Sequence, residues 1–195
     1  MRTKQTIAVI GDSGNLQAGL ITALSKGNYR LLICSGQLSH QGDLLSEIQK
    51  SNALADVERI ECAVNASWEA DIIISSVPIE AERKMAESIQ EVVCQKILIS
   101  LGDSIDSNTN MNCLRAIRGA QELQVILPNS KVVKLINPSE DFEFIEGRRK
   151  HTEAFIAGKD QEAVHTVSEL LSGAGFSSIM RGLLRPKSLT IFYIS

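Results

Sequence analysis

Short apolar runs alternate with longer stretches of helical periodicity along most of this chain, and that alternation limits its fold more than any other feature. Thr6–Ile10 is an apolar run that ends at Gly11. Leu16–Lys26 then places apolar residues at 16, 20, 21 and 24, one helical stripe, and Gly27-Asn28 supplies a C-terminal stop. Tyr29–Cys34 is the second run, Leu38–Gln49 a helix with Leu44, Leu45 and Ile48, and Val57–Ala63 the third run. Asp71–Val77 is the most continuously apolar run and Pro78 closes it; Glu80–Val93 follows as a charged amphipathic helix and Lys96–Leu101 as the fifth run. A polar loop, Leu101–Asn112, leads to a helix over Met111–Leu123, a turn at Pro128-Asn129-Ser130 and a sixth run at Lys131–Ile136. Ala154–Ala157, Gln161–Leu171 and Ser178–Met180 read as strand, helix and strand; the tail Leu189–Ile194 is apolar and has no assigned element. Strands that are apolar without alternation are buried on both faces, as in parallel sheets covered by crossover helices. The pattern therefore predicts an α/β protein with a doubly wound, mainly parallel sheet and helices on both faces.

Composition narrows the class. A chain of 195 residues fits one domain over 1–195, and 44% hydrophobic with 22% charged residues is a globular balance rather than a disordered one. The formal net charge is −3 and the basic clusters, such as Arg148-Arg149-Lys150, are short, which argues against a nucleic-acid partner. No apolar run approaches the ~18 residues of a membrane span, and the N-terminus lacks a signal-peptide pattern. Cys34, Cys62, Cys94 and Cys113 form no metal or redox pair. Three lie in apolar stretches and read as small hydrophobes, so the expected location is a reducing cytoplasm. His165, on a helix with Glu162 and Glu169, reads as a surface histidine, and Trp68 as packing where a short helix meets the sheet.

The residues after the first run carry the functional expectation. Gly11-Asp12-Ser13-Gly14-Asn15-Leu16 joins a strand to a helix, the context of a dinucleotide-binding loop of the Rossmann type. Glycine allows a tight turn and a close approach of backbone to pyrophosphate, and the helix N-terminus offers unpaired N–H groups and a positive dipole end. Two glycines of the usual three are present; Gln17 stands at the third place. Beyond the second run lie Cys34-Ser35-Gly36-Gln37, with neither the carboxylate that bonds an NAD ribose nor an arginine for a 2′-phosphate.

Three segments together resemble the deazaflavin (coenzyme F-420)-dependent NADP oxidoreductase family, which includes the cytosolic domains of the six-transmembrane epithelial antigen ferric reductases. They are Ile7–Leu16, Ala70–Pro78 and Leu127–Asn137; the last is similar to the family's Leu-Pro-x-x-x-Val-Val-Lys-x-x-Asn stretch. The resemblance implies a domain that binds NADP(H) and passes hydride to or from a flavin-like or other redox partner. By position, Gly11, Asp12, Ser13, Gly14, Asn15 and Leu16 would surround the pyrophosphate, and Ser35 and Gln37 would face the adenosine ribose. Ser76, Val77 and Pro78 would line the crevice, with Asn137 on the nicotinamide side. Members carry Ser-Arg where this chain has Ser35-Gly36, and Gly at Gln17.

No side chain stands out as a chemical catalyst or metal ligand. Hydride transfer between organic cofactors needs positioning more than an acid–base group. Two readings stay open: an NADP(H)-dependent oxidoreductase, and a non-catalytic nucleotide-binding or oligomeric module with a degenerate loop. Asp12, Gln17 and the missing arginine favour the second; the three retained segments favour the first. A homodimer through Leu189–Ile194 is one expectation for that tail, burial in its own core the other.

Overall fold

The computed structural model describes residues 4–11, 14–34, 45–46, 48–101, 109–136, 153–176, 178–185 and 188–192. The elements in chain order are β1 (Gln5–Ile10), α1 (Gly14–Leu24), β2 (Tyr29–Cys34), β3 (Asp56–Arg59), α2 (Ala63–Glu69), β4 (Ile72–Ser75) and α3 (Ile79–Ile89). There follow β5 (Ile97–Ser100), α4 (Thr109–Ile126), β6 (Lys131–Ile136), β7 (Glu153–Gly158), α5 (Gln161–Gly173), β8 (Ser178–Arg185) and β9 (Ser188–Phe192). The strands form one sheet in the order β3-β2-β1-β4-β5-β6-β7-β8-β9.

The first six strands are all parallel. β1 lies between β2 and β4, so the chain winds outward in one direction and then in the other, and the reversal leaves a crevice at the carboxyl ends of β1 and β4. Beyond β6 the pattern changes. β7 is antiparallel to β6, α5 carries the chain to β8 parallel to β7, and β9 returns antiparallel to β8 as the edge strand.

Alternate residues of the central strands feed two cores. Ile7, Val9, Leu31, Ile33, Ile72, Ile74, Ile99 and Val133 meet Leu20, Ile21 and Leu24 of α1 and Val167, Leu170 and Leu171 of α5. Ala8, Ile10, Leu32, Ile73, Leu98 and Val132 meet Ala66 of α2, Met85, Ala86 and Ile89 of α3, and Ala120 and Leu123 of α4. This double burial is why β1, β2 and β4 read as unbroken apolar runs.

Several boundaries move for identifiable reasons. The third strand ends at Arg59 instead of Ala63, because β3 is an edge strand paired with β2 alone and Ala63 already opens α2. α2 turns Ala66 and Ser67 inward, which leaves Trp68 on the outer face, 69% exposed; its expected packing against the sheet is not found. Of the cysteines with described side chains, Cys34 is buried while Cys62 and Cys94 are exposed, so the small-hydrophobe reading holds for Cys34 alone. His165 is on the exposed side of α5, as expected. The helix expected over Leu38–Gln49 is described only at 45–46 and 48–51, where the residues are helical. Of the tail, residues 189–192 are described and lie in β9 at the sheet edge.

Polar ties fix the turns at the amino ends of the strands. Lys96 Nζ donates to the carbonyls of Ser67 at 2.7 Å and Trp68 at 2.6 Å, placing a cation at the C-terminus of α2. Burial lowers the Lys96 pKa from its ordinary value, with Asp71 opposing. Arg30 bridges Glu58 at 2.9 Å and Glu69 at 2.8 Å, joining β2, β3 and α2, and its hydrogen bonds to the two carboxylates raise its pKa, Glu58 first. The Gln124 amide spans the α4–β6 turn: it donates to Leu127 O at 3.0 Å and Ser130 O at 2.8 Å and accepts from Val132 N–H at 3.4 Å. Replacing Gln124 by Ala removes all three hydrogen bonds, leaving Leu127 O only its bond from Ser130 N–H at 3.1 Å, and urea denaturation should show a loss of about 1–3 kcal/mol. Glu87→Ala removes only the exposed partner of Arg83 at 3.7 Å and should change stability by less than about 0.5 kcal/mol.

Candidate functional site

The crevice between β1 and β4 is built around Gly11. Its amide donates to Cys34 O at 2.9 Å, which continues the β1–β2 ladder one residue past the strand. Its φ of +112° lies outside the range that side-chain-bearing residues adopt readily. A Cβ there would sit 2.5 Å from the carbonyl oxygen of Ser76, 2.6 Å from its carbon and 2.8 Å from Val77 N. The position therefore demands glycine twice over, once for the backbone and once for the approach of the neighbouring strand exit.

α1 begins three residues on, at Gly14, with no acidic residue in its first turn. Gly14, Asn15 and Leu16 thus present a helix N-terminus at the carboxyl end of β1, a position suited to an anion. Across the crevice, Ser76 is buried and its amide donates to Ile10 O at 2.8 Å. Val77 is half-buried, and Pro78 caps α3, its carbonyl accepting from Ala81 N–H at 2.8 Å and Glu82 N–H at 3.1 Å. The structure accordingly sets Gly11 against the backbone of Ser76 and Val77, with α1 beginning at Gly14. Asp12 and Ser13, Ser35 and Gln37 just after β2, and Asn137 just after β6 lie outside the described residues.

Beneath the wall is a buried polar cluster around Lys134, the lysine of the Val132-Val133-Lys134 stretch. Lys134 of β6 is fully buried, and its Nζ donates to Ser100 Oγ at 2.7 Å and lies 3.8 Å from Glu82 Oε2. Ser100 donates to Glu82 Oε1, and Ser75 Oγ donates to the same oxygen at 3.5 Å. Glu82 Oε2 is buried and makes no hydrogen bond among the described residues. A signal was present in the sequence: a lysine inside the otherwise apolar run Val132–Ile136 needs a buried counter-charge, and Glu82 sits on the inward face of a helix. On the outer side of Glu82, a cavity of about 280 Å³ opens between α3 and α4, flanked by Glu80, Arg83, Arg118 and Glu122.

Among the described residues no cluster of His, Cys, Asp and Glu could hold a metal ion, and no helix is long and apolar enough to cross a membrane. A helix N-terminus at such a crevice suits an anion, because the first N–H groups of a helix have no partner within it.

The arrangement defines a Rossmann-type α/β fold, and solved structures of that class are similar to it. No protein-family model matches the sequence, and none of the curated proteins matches it. A protein from Arthrobacter sp. FB24, assigned as an F-420-dependent NADP reductase, superposes with a TM-score of 0.67 at 19% identity, over 90% of this chain and 83% of its own. A pyrroline-5-carboxylate reductase from Coxiella burnetii superposes with a TM-score of 0.64 at 13% identity, over 95% of this chain and 60% of its own. An imine reductase from Myxococcus stipitatus, solved with NAD+, gives 0.66 at 14% identity, over 92% and 55%. A conserved protein from Sinorhizobium meliloti 1021 gives 0.64 at 16%, over 95% and 56%. The chain thus spans a little over half the length of the last three. At these identities the likeness shows the fold.

Gly11→Ala should lower the unfolding free energy by about 2–3 kcal/mol or more, the cost of a strained φ plus the Ser76 overlap. Gly173, at the end of α5, faces open space: nothing lies within 4 Å of the place a Cβ would take. Gly173→Ala should be neutral or stabilise by about 0.4–1 kcal/mol. Chemical denaturation of the two variants side by side checks the contrast.

Proposed function

We propose that this chain is an NAD(P)(H)-binding oxidoreductase module in which the dinucleotide lies across the carboxyl ends of β1 and β4. The observation that carries the reading is the Gly11 turn: a glycine at φ +112°, pressed against the Ser76 carbonyl, opening the N-terminus of α1 at the point where the strand order reverses. In this reading the pyrophosphate lies on the first turn of α1, at Gly14, Asn15 and Leu16. Ser35 and Gln37 face the adenosine ribose. Ser76, Val77 and Pro78 line the crevice, and Asn137 is assigned to the nicotinamide side from the sequence resemblance. Three of the similar solved structures are reductases by name, one of them bound to NAD+, which supports a pyridine nucleotide as the ligand.

The finer reading is a reductase of the F-420-dependent NADP type, with hydride passing between the nicotinamide and a flavin-like acceptor or donor. It rests on the three sequence segments and on the Arthrobacter structure, whose length this chain nearly matches. The protein's part would be to hold the two rings in contact and exclude water, with no acid–base residue required. Cytoplasmic location and a homodimer belong to the same proposal. A second reading, nucleotide binding without catalysis, is favoured by Gln17 and by the absence of an arginine after β2.

Calorimetric titration with NADPH and with NADH tests the proposal. Trp68 stands beside Lys96 at the amino ends of the strands, remote from the crevice, so nicotinamide emission is the optical reporter to follow. NADPH should bind with a Kd on the order of micromolar, about −8 kcal/mol. Gly14→Asp, which sets a carboxylate in the first turn of α1, should weaken it roughly 100-fold or more. Failure of both nucleotides to bind at millimolar concentration contradicts the proposal. Tight binding without turnover with any flavin-type acceptor supports the second reading.

A further inference from the structure

Lys134 and Glu82 form an ion pair that the nucleotide crevice does not itself use, and a buried pair of this kind is weak evidence for stability because desolvating both charges is expensive. Its position gives it another role. Ser75 is the last residue of β4, Ser100 the last of β5, and Lys134 lies opposite Ser100 in β6. Ser75 in turn lies opposite Ile10, the residue before Gly11. The cluster therefore runs along one row of the sheet, directly under the crevice.

Glu82 ties that row to the wall. Its carboxylate accepts from Ser75 and Ser100 and faces the Lys134 ammonium, while its backbone N–H donates to Pro78 O at 3.1 Å. Ser76, Val77 and Pro78 are thus held at both ends by one residue: Ser75 on one side, the first turn of α3 on the other. The Ser100 hydroxyl uses both its capacities, accepting from Lys134 and donating to Glu82, so the lysine fixes the orientation of the carboxylate. The Ser76 carbonyl, in its turn, is what a side chain on Gly11 would strike.

We propose that the Lys134–Ser100–Glu82 cluster is a positioning device that holds the Ser76–Pro78 wall at a fixed distance from the Gly11 turn and so keeps the crevice open to a dinucleotide. Lys134, Ser100 and Glu82 touch no ligand; they act through the wall. The effect on nucleotide binding rests on the function proposed above, while the effect on the wall does not.

The test uses two variants of the full chain. Lys134→Met with Glu82→Met removes both charges together, which leaves no uncompensated ion and preserves volume. Ser100→Ala keeps both charges and removes the hydroxyl between them. Hydrogen exchange followed by mass spectrometry should show the amides of residues 76–82, Pro78 excepted, exchanging about tenfold faster or more in the double variant, with residues 29–34 of β2 unchanged. Ser100→Ala should show a smaller change, roughly two- to fivefold, in the same segment. The NADPH Kd should rise by about the same factors, since loosening a preformed wall adds an ordering step to binding. Wild-type exchange at 76–82 in whichever variant folds overturns the proposal. So does faster exchange with an unchanged Kd, which would make the cluster structural only. If the wild-type protein takes up neither nucleotide, the proposed function falls and the exchange rates alone decide the positioning role.

Discussion

β1 emerges from the middle of the sheet between two parallel neighbours, and the chain must leave there without a side chain. The constraint is steric: any Cβ on Gly11 would lie 2.5 Å from the Ser76 carbonyl oxygen, well inside contact distance. Much else at this end of the sheet depends on it. Gly11 can hydrogen-bond back to Cys34 O while Ser76 N–H bonds to Ile10 O, so β1 stays paired on both sides up to its last residue. α1 then starts at Gly14, three residues beyond Gly11, so a helix N-terminus follows closely on the strand end.

The central sheet was legible because it is buried on both faces. β2 and β6 have the boundaries the apolar runs predicted, Tyr29–Cys34 and Lys131–Ile136, since nearly all their buried positions on either face, Lys134 excepted, are filled by apolar residues. The edge was less legible. β3 has one partner and half-exposed positions, so its pattern faded into the start of α2, and a helix of seven residues is too short for a stripe to show that Trp68 faces outward. The antiparallel turn of β7 against β6 carries no local signature, because strand direction is set by the connection and residues 137–152 of that connection lie outside the described part.

The site was legible where backbone geometry makes it and illegible where buried charge does. Gly11 and Ser76 follow from a strand–glycine–helix pattern and a proline-terminated strand, and the structure sets their backbones against each other. Glu82 and Lys134 are 52 positions apart; Glu82 reads as one of several charges on an amphipathic helix, and nothing local in the sequence pairs it with Lys134. Only the sheet register, with Ser100 opposite Lys134, shows them to be one cluster. A lysine in the middle of a doubly buried strand was the available clue.

Whether the Gly11 crevice is a nucleotide site is tested most directly by amide chemical shifts during an NADPH titration. Shifts should concentrate at Gly11, Gly14–Leu16 and Ser76–Val77, with α5 and the α3–α4 cavity at Arg118 and Glu122 left unchanged. Shifts centred on that cavity, or none up to millimolar NADPH, would contradict a nucleotide site in the crevice.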